Sequence, residues 1–313
     1  MNGLELSRAF YETHGRPMLE EQFSDLLPFL AVGLFGSGSE CFGWDDGVSR
    51  DHDFEPGFCI LLPEEAVVDR RRAFLLERAY AKLPRTFEGL SRPVLQPVGG
   101  ARHGVFRTEE FFGKLIGSPN GVLSTAQWLT LPEQALAEAT NGEIWLDEFG
   151  EVTRIREVLA YYPEDVRRKR LAGRLLLMEQ SGQYNYPRCL AHGEPDAAQL
   201  AAVEFVRSAI SAIFLLNRRY CPYYKWTFRA LRELPLLSGL APALSFLLST
   251  GNGDSLAEEK SARIGSACAQ VLAEVRAQSL SDAEGGDLER HAYAVNDRIR
   301  DPELRNLHVL AAV

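Results

Sequence analysis

Residues 35–53 read FGSGSECFGWDDGVSRDHD, a stretch that begins with a glycine-serine turn and ends on two aspartates. An apolar segment, residues 29–35, precedes it, and a second apolar segment, residues 57–62, follows it. Short apolar runs bounded by turn residues are typical of buried strands. The pattern therefore predicts a buried strand on each side, with Asp51 and Asp53 near the start of the second one.

The two aspartates of this stretch are spaced so that both side chains could contribute to one binding site. Residues two apart point to the same face of a strand, so Asp51 and Asp53 are expected to project together. Two ionised carboxylates at such a distance repel each other unless a cation lies between them. Mg²⁺ fits best, because it prefers hard oxygen ligands and completes its coordination with water and substrate phosphates. Asp51 and Asp53 are thus the candidate metal ligands and catalytic residues.

The turn at residues 36–39 supplies the features of an anion site. Its glycines permit an unusual backbone path and a close approach to a ligand. A helix that starts at about Ser39 would point free N–H groups at whatever occupies the turn. Gly36, Ser37 and Ser39 are therefore candidate nucleotide-binding residues. An anion-binding turn that faces a carboxylate pair suits a nucleoside triphosphate with Mg²⁺.

A family resemblance extends this interpretation. Residues 36–37 followed by residues 51–53 resemble the signature of the DNA polymerase β-like nucleotidyltransferase superfamily. The strings GSGSE and FGWDDGVSRDHDF are similar to an uncharacterised bacterial domain-of-unknown-function family, which is related to the aminoglycoside and lincosamide nucleotidyltransferases. Three later segments share the resemblance: residues 142–145, 162–166 and 222–226. The resemblance implies Mg²⁺-dependent transfer of a nucleoside monophosphate from a triphosphate to a hydroxyl, on a small molecule such as an antibiotic or on a protein side chain.

The resemblance also implies a third acidic residue in the site, and the sequence does not identify which residue this is. Members of the superfamily commonly carry it on a neighbouring strand, as a metal ligand or base. Four acids are candidates here: Glu109, Glu110, Glu143 and Asp147. A chain without this acid would bind a nucleotide without turning it over, so a catalytically degenerate nucleotide-binding or regulatory module is the alternative function. Three acids of the central stretch are expected to be solvated loop charges, as acids usually are: Glu40, Asp45 and Asp46.

Composition, net charge and cysteine spacing argue against several classes of protein. The chain has 313 residues, is 46% hydrophobic and carries a net charge of −9, which argues against a nucleic-acid binder with a basic footprint. It has no uninterrupted apolar run of about 18 residues, and its N-terminus lacks the apolar core of a signal peptide. Five scattered cysteines without paired spacing are typical of reduced thiols. These features predict a cytoplasmic protein that has no membrane span.

The order of the elements predicts an α+β fold. A small mixed-sheet nucleotidyltransferase domain is expected in residues 1–150, followed by an all-α domain in residues 151–313. Residues 64–83 are predicted as a helix, with Phe74 and Leu75 on its apolar side. Residues 196–220 form the clearest helix, because apolar residues recur at steps of three and four from Leu200 to Phe214.

Two later segments carry possible ligand-binding groups. Residues 166–170, VRRKR, are predicted to lie mostly on a solvated helix face, since successive charges on a helix point in several directions. Residues 220–226, YCPYYKW, surround Lys225 with aromatic side chains. One interpretation is a packed corner between two helices. The other is that Lys225 contacts a phosphate as a point charge while the rings line the nucleoside or acceptor site, which makes Lys225 a candidate nucleotide-binding residue.

Overall fold

The computed structural model describes residues 1–48, 55–92 and 102–313. Asp51 and Asp53 lie outside the described residues, so the roles predicted for them stay predictions. Backbone contacts divide the chain into two compact units, the first made of Met1–Leu123 and Ala135–Ala160 and the second of Ser124–Gln134 and Tyr161–Val313. The predicted domain limits, residues 1–150 and 151–313, stay a prediction.

The first unit contains a mixed four-stranded sheet. Strand β1 (Ala31–Leu34) lies inside it and pairs antiparallel with β2 (Cys59–Leu62) on one side and with β6 (Glu143–Asp147) on the other. Strand β5 (Gly104–Arg107) runs parallel to β2 at the far edge, so the order is β5-β2-β1-β6. Both β1 and β2 are buried along their whole length, which confirms that the two apolar segments are strands.

A short ribbon and a set of helices complete the described residues. The ribbon joins β3 (Thr86–Phe87) to β4 (Leu90–Ser91). The α-helices of the described residues, in order, are α1 (Gly3–Phe10), α2 (Arg16–Gln22), α3 (Arg70–Ala81), α4 (Thr108–Ile116), α5 (Thr125–Thr130), α6 (Glu133–Thr140), α7 (Glu151–Val158), α8 (Glu164–Met178), α9 (Tyr186–Ala191), α10 (Pro195–Leu216), α11 (Tyr224–Arg232), α12 (Ala241–Ser249), α13 (Asp254–Ala277), α14 (Leu288–Asp297) and α15 (Pro302–Asn306).

Helix α3 differs from its prediction in both start and face. It begins at Arg70, because the side chain of Asp69 accepts a hydrogen bond from the backbone N–H of Arg72 and caps the first turn. Its buried side carries Tyr80, whereas Phe74 is 55% exposed. The hydroxyl of Tyr80 donates to the carbonyl of Phe58 and accepts from its N–H, at 2.8 and 3.1 Å. These bonds select the buried face, and the predicted apolar face is wrong.

The second unit is helical throughout. From residue 148 onward the described backbone contains helices and turns but no strand, which confirms the predicted helical character of this part of the chain. Helix α10 lies in its core, although Leu200, predicted as part of the apolar stripe, is 73% exposed. Helix α10 is also long and apolar enough to span a bilayer, and 67% of its most apolar window is buried within the protein. A single helix of this kind is weak evidence for a span, because core helices share its composition.

The basic run on α8 contradicts the predicted solvated face. Arg167, Lys169 and Arg170 are all buried, and Lys169 is 0% exposed. Each bonds to backbone carbonyls that approach from elsewhere in the second unit: Arg167 to the carbonyl of Leu215 at 2.9 Å, and Lys169 to that of Leu307 at 2.5 Å. The last carbonyls of a helix have no intrahelical partner, so a buried cation satisfies them. The charges of Arg167, Lys169 and Arg170 are structural.

Candidate functional site

The glycine-serine turn follows β1 directly. Gly36 and Gly38 have φ angles of 106° and 131°, in the region that side-chain-bearing residues avoid. The side chain of Asn141 holds the turn: its Oδ1 accepts from the N–H of Gly36, and its Nδ2 donates to the carbonyl of Gly36, both at 2.8 Å. The unusual backbone path predicted for the turn is confirmed.

Gly142, next to Asn141, allows the backbone at residues 141–142 to pack closely against the end of β1. Its φ is 65°, and a Cβ atom there would overlap the carbonyl oxygen of Leu34. Only glycine allows the two backbones to come this close. Asn141 therefore reaches Gly36 because Gly142 carries no side chain.

The two serines of the turn do different things. Ser37 is exposed, and its hydroxyl donates to Oε2 of Glu138 at 2.6 Å. Ser39 precedes a single 3₁₀ turn, Glu40–Phe42, and its side chain makes no capping bond. The helix predicted to start at Ser39 is thus only three residues long, too short for a helix dipole. Any anion at this turn would be held by its backbone and by Ser37.

Glu40 is buried rather than solvated. It is 7% exposed, its Oε1 has no hydrogen-bond partner among the described residues, and Arg102 Nη1 lies 4.0 Å from that oxygen. A Cβ atom on Gly38 would overlap the Glu40 carboxylate, which therefore lies directly against the turn. Burial raises the pKa of Glu40 above its ordinary value, while a backbone hydrogen bond, His103 and Arg102 act in the opposite direction. The prediction of a solvated charge is wrong for Glu40.

Glu40→Gln is expected to stabilise the protein near neutral pH by about 1–3 kcal/mol, because burial penalises the ionised carboxylate whereas the amide stays neutral. Because the folded-state pKa is raised, stability is highest where the carboxyl is protonated and is lost as the pH rises from about 4.5 through the folded-state value. The gain should therefore vanish near pH 4. Urea denaturation at several pH values measures it, and an equal gain at every pH would contradict the explanation.

The other acids of the central stretch are less buried. Asp45 is half-buried, and its Oδ2 accepts from the N–H of Gly3 at 2.9 Å, while its Oδ1 has no hydrogen-bond partner in the part of the chain that the structure describes. Asp46 is exposed, as predicted, and accepts from the N–H of Val48 at 3.0 Å. The prediction of a solvated charge thus holds for Asp46 alone.

The four candidates for a third acid have ordinary structural surroundings. Glu143 Oε2 accepts from Trp145 Nε1 at 3.0 Å, and Asp147 accepts from the backbone of Gly150 and Thr153 at the start of α7. Glu109 and Glu110 are exposed in the first turn of α4. Within residues 1–48, 55–92 and 102–313, no three His, Cys, Asp or Glu side chains are close enough to hold a metal ion. The fit of Mg²⁺ therefore depends on Asp51 and Asp53.

The aromatic segment around Lys225 divides into two parts. Tyr220 is buried, with its ring centroid 4.9 Å from that of Tyr162, as the packed-corner interpretation expects. Tyr224 and Lys225 are exposed at the start of α11, and Lys225 Nζ lies 5.2 Å from the ring centroid of Trp226. The charged group of Lys225 is thus accessible to solvent. It belongs to the second unit, whereas residues 36–39 belong to the first.

Sequence reasoning missed several groups that shape the turn. Glu138 and Asn141 are more than 100 residues from Ser37 and Gly36, and no local pattern connects them. Arg102 and Glu40 are also far apart in the sequence, although their side chains lie close together in the fold. The one available signal was the pair Asn141-Gly142, which predicts a turn but not the partner of that turn.

All five cysteines are free thiols, as their spacing predicted. Burial raises the pKa of Cys59 and of Cys268 to about 12, so both thiols stay protonated at neutral pH. These thiols are poor nucleophiles, because the thiolate is the reactive form.

Comparison with known proteins identifies one related segment. Residues 128–227 match the model of a family described as a domain of unknown function, DUF4037. No match was found among curated proteins or among solved structures. The matched segment includes Lys225 and the basic run of α8 but not residues 35–53. Similarity to a domain of unknown function is therefore confirmed for this segment, and the relation to nucleotidyltransferases stays a prediction.

Proposed function

We propose that this protein is a Mg²⁺-dependent nucleotidyltransferase that moves a nucleoside monophosphate from a nucleoside triphosphate to an acceptor hydroxyl. The acceptor is a small molecule, such as an antibiotic, or a protein side chain. The proposal rests on one observation above all: a left-handed glycine turn follows the internal strand β1, and the sequence between this turn and β2 contains Asp51 and Asp53.

The turn supports a role in holding phosphates. Its backbone is fixed by Asn141 before any ligand arrives, so little ordering entropy is lost on binding. The hydroxyl of Ser37 is exposed and is bound to Glu138 alone among the described residues. To donate to a phosphate oxygen, this hydroxyl must rotate away from Glu138, and the repulsion between phosphate and the nearby carboxylates must be offset by a cation.

In this proposal Asp51 and Asp53 hold Mg²⁺, which neutralises phosphate charge when it is bound. Gly36, Ser37 and Ser39 position the phosphates through backbone and hydroxyl groups. Lys225 supplies a point charge for a phosphate. The acceptor hydroxyl needs a group that takes its proton, and none of the four acids considered for this role is free of a simpler structural explanation.

The test is release of pyrophosphate. Purified protein is incubated with each of the four ribonucleoside triphosphates in turn, with Mg²⁺ or with EDTA, and with a panel of aminoglycosides and lincosamides. Label from the α-phosphate is then followed into the small molecules and into the protein itself. Mg²⁺-dependent release together with labelled acceptor supports the proposal. Absence of release with every triphosphate contradicts it.

A degenerate nucleotide-binding or regulatory module is the second candidate. The observation that favours it is the engagement of Glu143 and Asp147 in structural hydrogen bonds, which leaves the third acid without an assignment. Calorimetry separates the two functions. Tight Mg²⁺-dependent binding of ATP or GTP without any release of pyrophosphate would favour the module.

Lys225→Ala is expected to weaken triphosphate binding by about 1–3 kcal/mol, the scale of a hydrogen bond to a charged group. Binding of the corresponding nucleoside should change far less, because it carries no phosphate. Titration calorimetry with ATP and adenosine makes the comparison. Lys82→Ala is the control, since Lys82 is also an exposed lysine and lies after α3. If the Lys225 variant and the wild type bind ATP with equal affinity, the aromatic segment at residues 220–226 has a structural role only.

A further inference from the structure

The second unit contains a cavity that the proposed function does not use. Its volume is about 530 Å³, within the range of small-molecule sites. It lies between the start of α8, the end of α10 and the segment that follows α13. Its wall combines arginine side chains with apolar surface from Leu216, Leu236 and Leu280.

Three guanidinium groups on this wall converge on one carboxylate. Arg218 Nη2 lies 2.6 Å from Glu164 Oε2, and Arg167 Nη1 and Arg168 Nε lie 3.1 and 3.7 Å from Oε1. Arg168 also pairs with Asp165 at 3.0 Å. Among the residues that line the cavity, three arginines face the single carboxylate of Glu164, so the cavity wall favours an additional anion.

The three arginines differ in whether they have hydrogen-bond donors that are not used within the protein. Arg168 Nε has no hydrogen-bond partner among the described residues, because Glu164 at 3.7 Å is too far, but this nitrogen is buried and out of reach of a ligand. The side chain of Arg218 is 55% exposed and uses one of its nitrogens on Glu164. Arg167, by contrast, bonds to Leu215, Glu164 and Gln278, and its role is structural. The donors that a ligand can reach therefore come from Arg218.

The backbone around the cavity adopts uncommon conformations. Arg218, Leu237 and Ser279 have φ angles of 52°, 62° and 55°. They are three of the four non-glycine residues with positive φ in the described part of the chain. Arg218 and Ser279 line the cavity, and Leu237 follows the lining residue Leu236. Glycine is the common residue at such positions after a helix, and backbone strain of this kind clusters at ligand sites.

We propose that this cavity binds a small organic anion. The phosphate or carboxylate group of the anion is held by the guanidinium of Arg218, with Arg168 adding positive charge to the wall, and its apolar part packs against Leu236. Arginine suits both groups, because its planar fork matches two oxygens of a phosphate or a carboxylate. The site is separate from residues 36–39 and does not depend on nucleotidyl transfer.

Titration calorimetry at constant ionic strength tests this with two probes, phenyl phosphate and benzoate, which share an apolar ring and differ in the oxyanion. At least one probe is expected to bind, and its preference identifies the oxyanion. Arg218→Gln should weaken binding at least about tenfold, the effect of losing one charged contact. Arg218→Lys, which keeps the charge but loses the fork, should fall between this variant and the wild type.

Arg290→Gln is the matched control, because Arg290 is an exposed arginine that pairs with an acid, Asp287, at 3.6 Å. It should leave probe binding unchanged, and Asp51→Asn should do the same if the cavity is independent of the nucleotide. Thermal unfolding confirms that Arg218→Gln is folded. The proposal is overturned if neither probe binds at millimolar concentration, or if the Arg218 and Arg290 variants lose affinity equally.

Discussion

Replacing Asp51 or Asp53 with asparagine is expected to abolish nucleotidyl transfer, with a loss of at least about 10³-fold. A bound metal contributes several kcal/mol of charge stabilisation, and each ~1.4 kcal/mol is a factor of ten in rate. The stability of the fold should stay the same or rise slightly, because neutralising one of two adjacent carboxylates removes their repulsion. Pyrophosphate release and thermal unfolding measure the two effects on the same variants.

The control for this experiment is Asp46→Asn. Asp46 belongs to the same acidic stretch but is exposed, and it accepts a hydrogen bond from Val48. Its variant should keep the wild-type rate. A protein with both Asp51 and Asp53 replaced that still turns over normally would exclude the metal assignment, whereas inactive variants that are also unfolded would point to a structural role.

Arg170→Met is expected to destabilise the protein by about 3–5 kcal/mol, the effect of removing one partner of a buried ion pair. The guanidinium donates to the carbonyls of Trp128, Leu129 and Leu131 at 3.0–3.1 Å and lies 3.9 Å from the Glu133 carboxylate. Methionine fills much of the volume but leaves these acceptors without a donor. Urea denaturation followed by circular dichroism gives the free energy of unfolding.

Two further variants show whether charge or packing is responsible. Arg290→Met should change stability by less than about 0.5 kcal/mol, because an exposed i,i+3 pair such as Arg290–Asp287 contributes little. Arg170→Lys should recover part of the loss, since a lysine keeps the charge but cannot reach three carbonyls at once. If Arg170→Met is as stable as the wild type, the buried cations of α8 do not hold the helical unit together.

The sequence by itself determined the elements whose signals are local. Apolar runs ended by turn residues identified β1 and β2. The left-handed turn after β1 was also predictable, because Gly36 and Gly38 permit backbone angles that other residues avoid. The candidate residues Asp51 and Asp53 come from this same local pattern and remain to be tested by mutation.

Only the tertiary structure decided which charges are buried. Glu40 and the basic run of α8 look like solvent-exposed charges in sequence, since acids and bases are seldom buried unless they have partners. Their surroundings come from distant parts of the chain: Arg102 lies near Glu40, and the carbonyls of Trp128 and Leu307 accept from Arg170 and Lys169. Whether burial of a charge is tolerated depends on such acceptors, and a linear pattern contains no information about which of them the fold brings within hydrogen-bond distance.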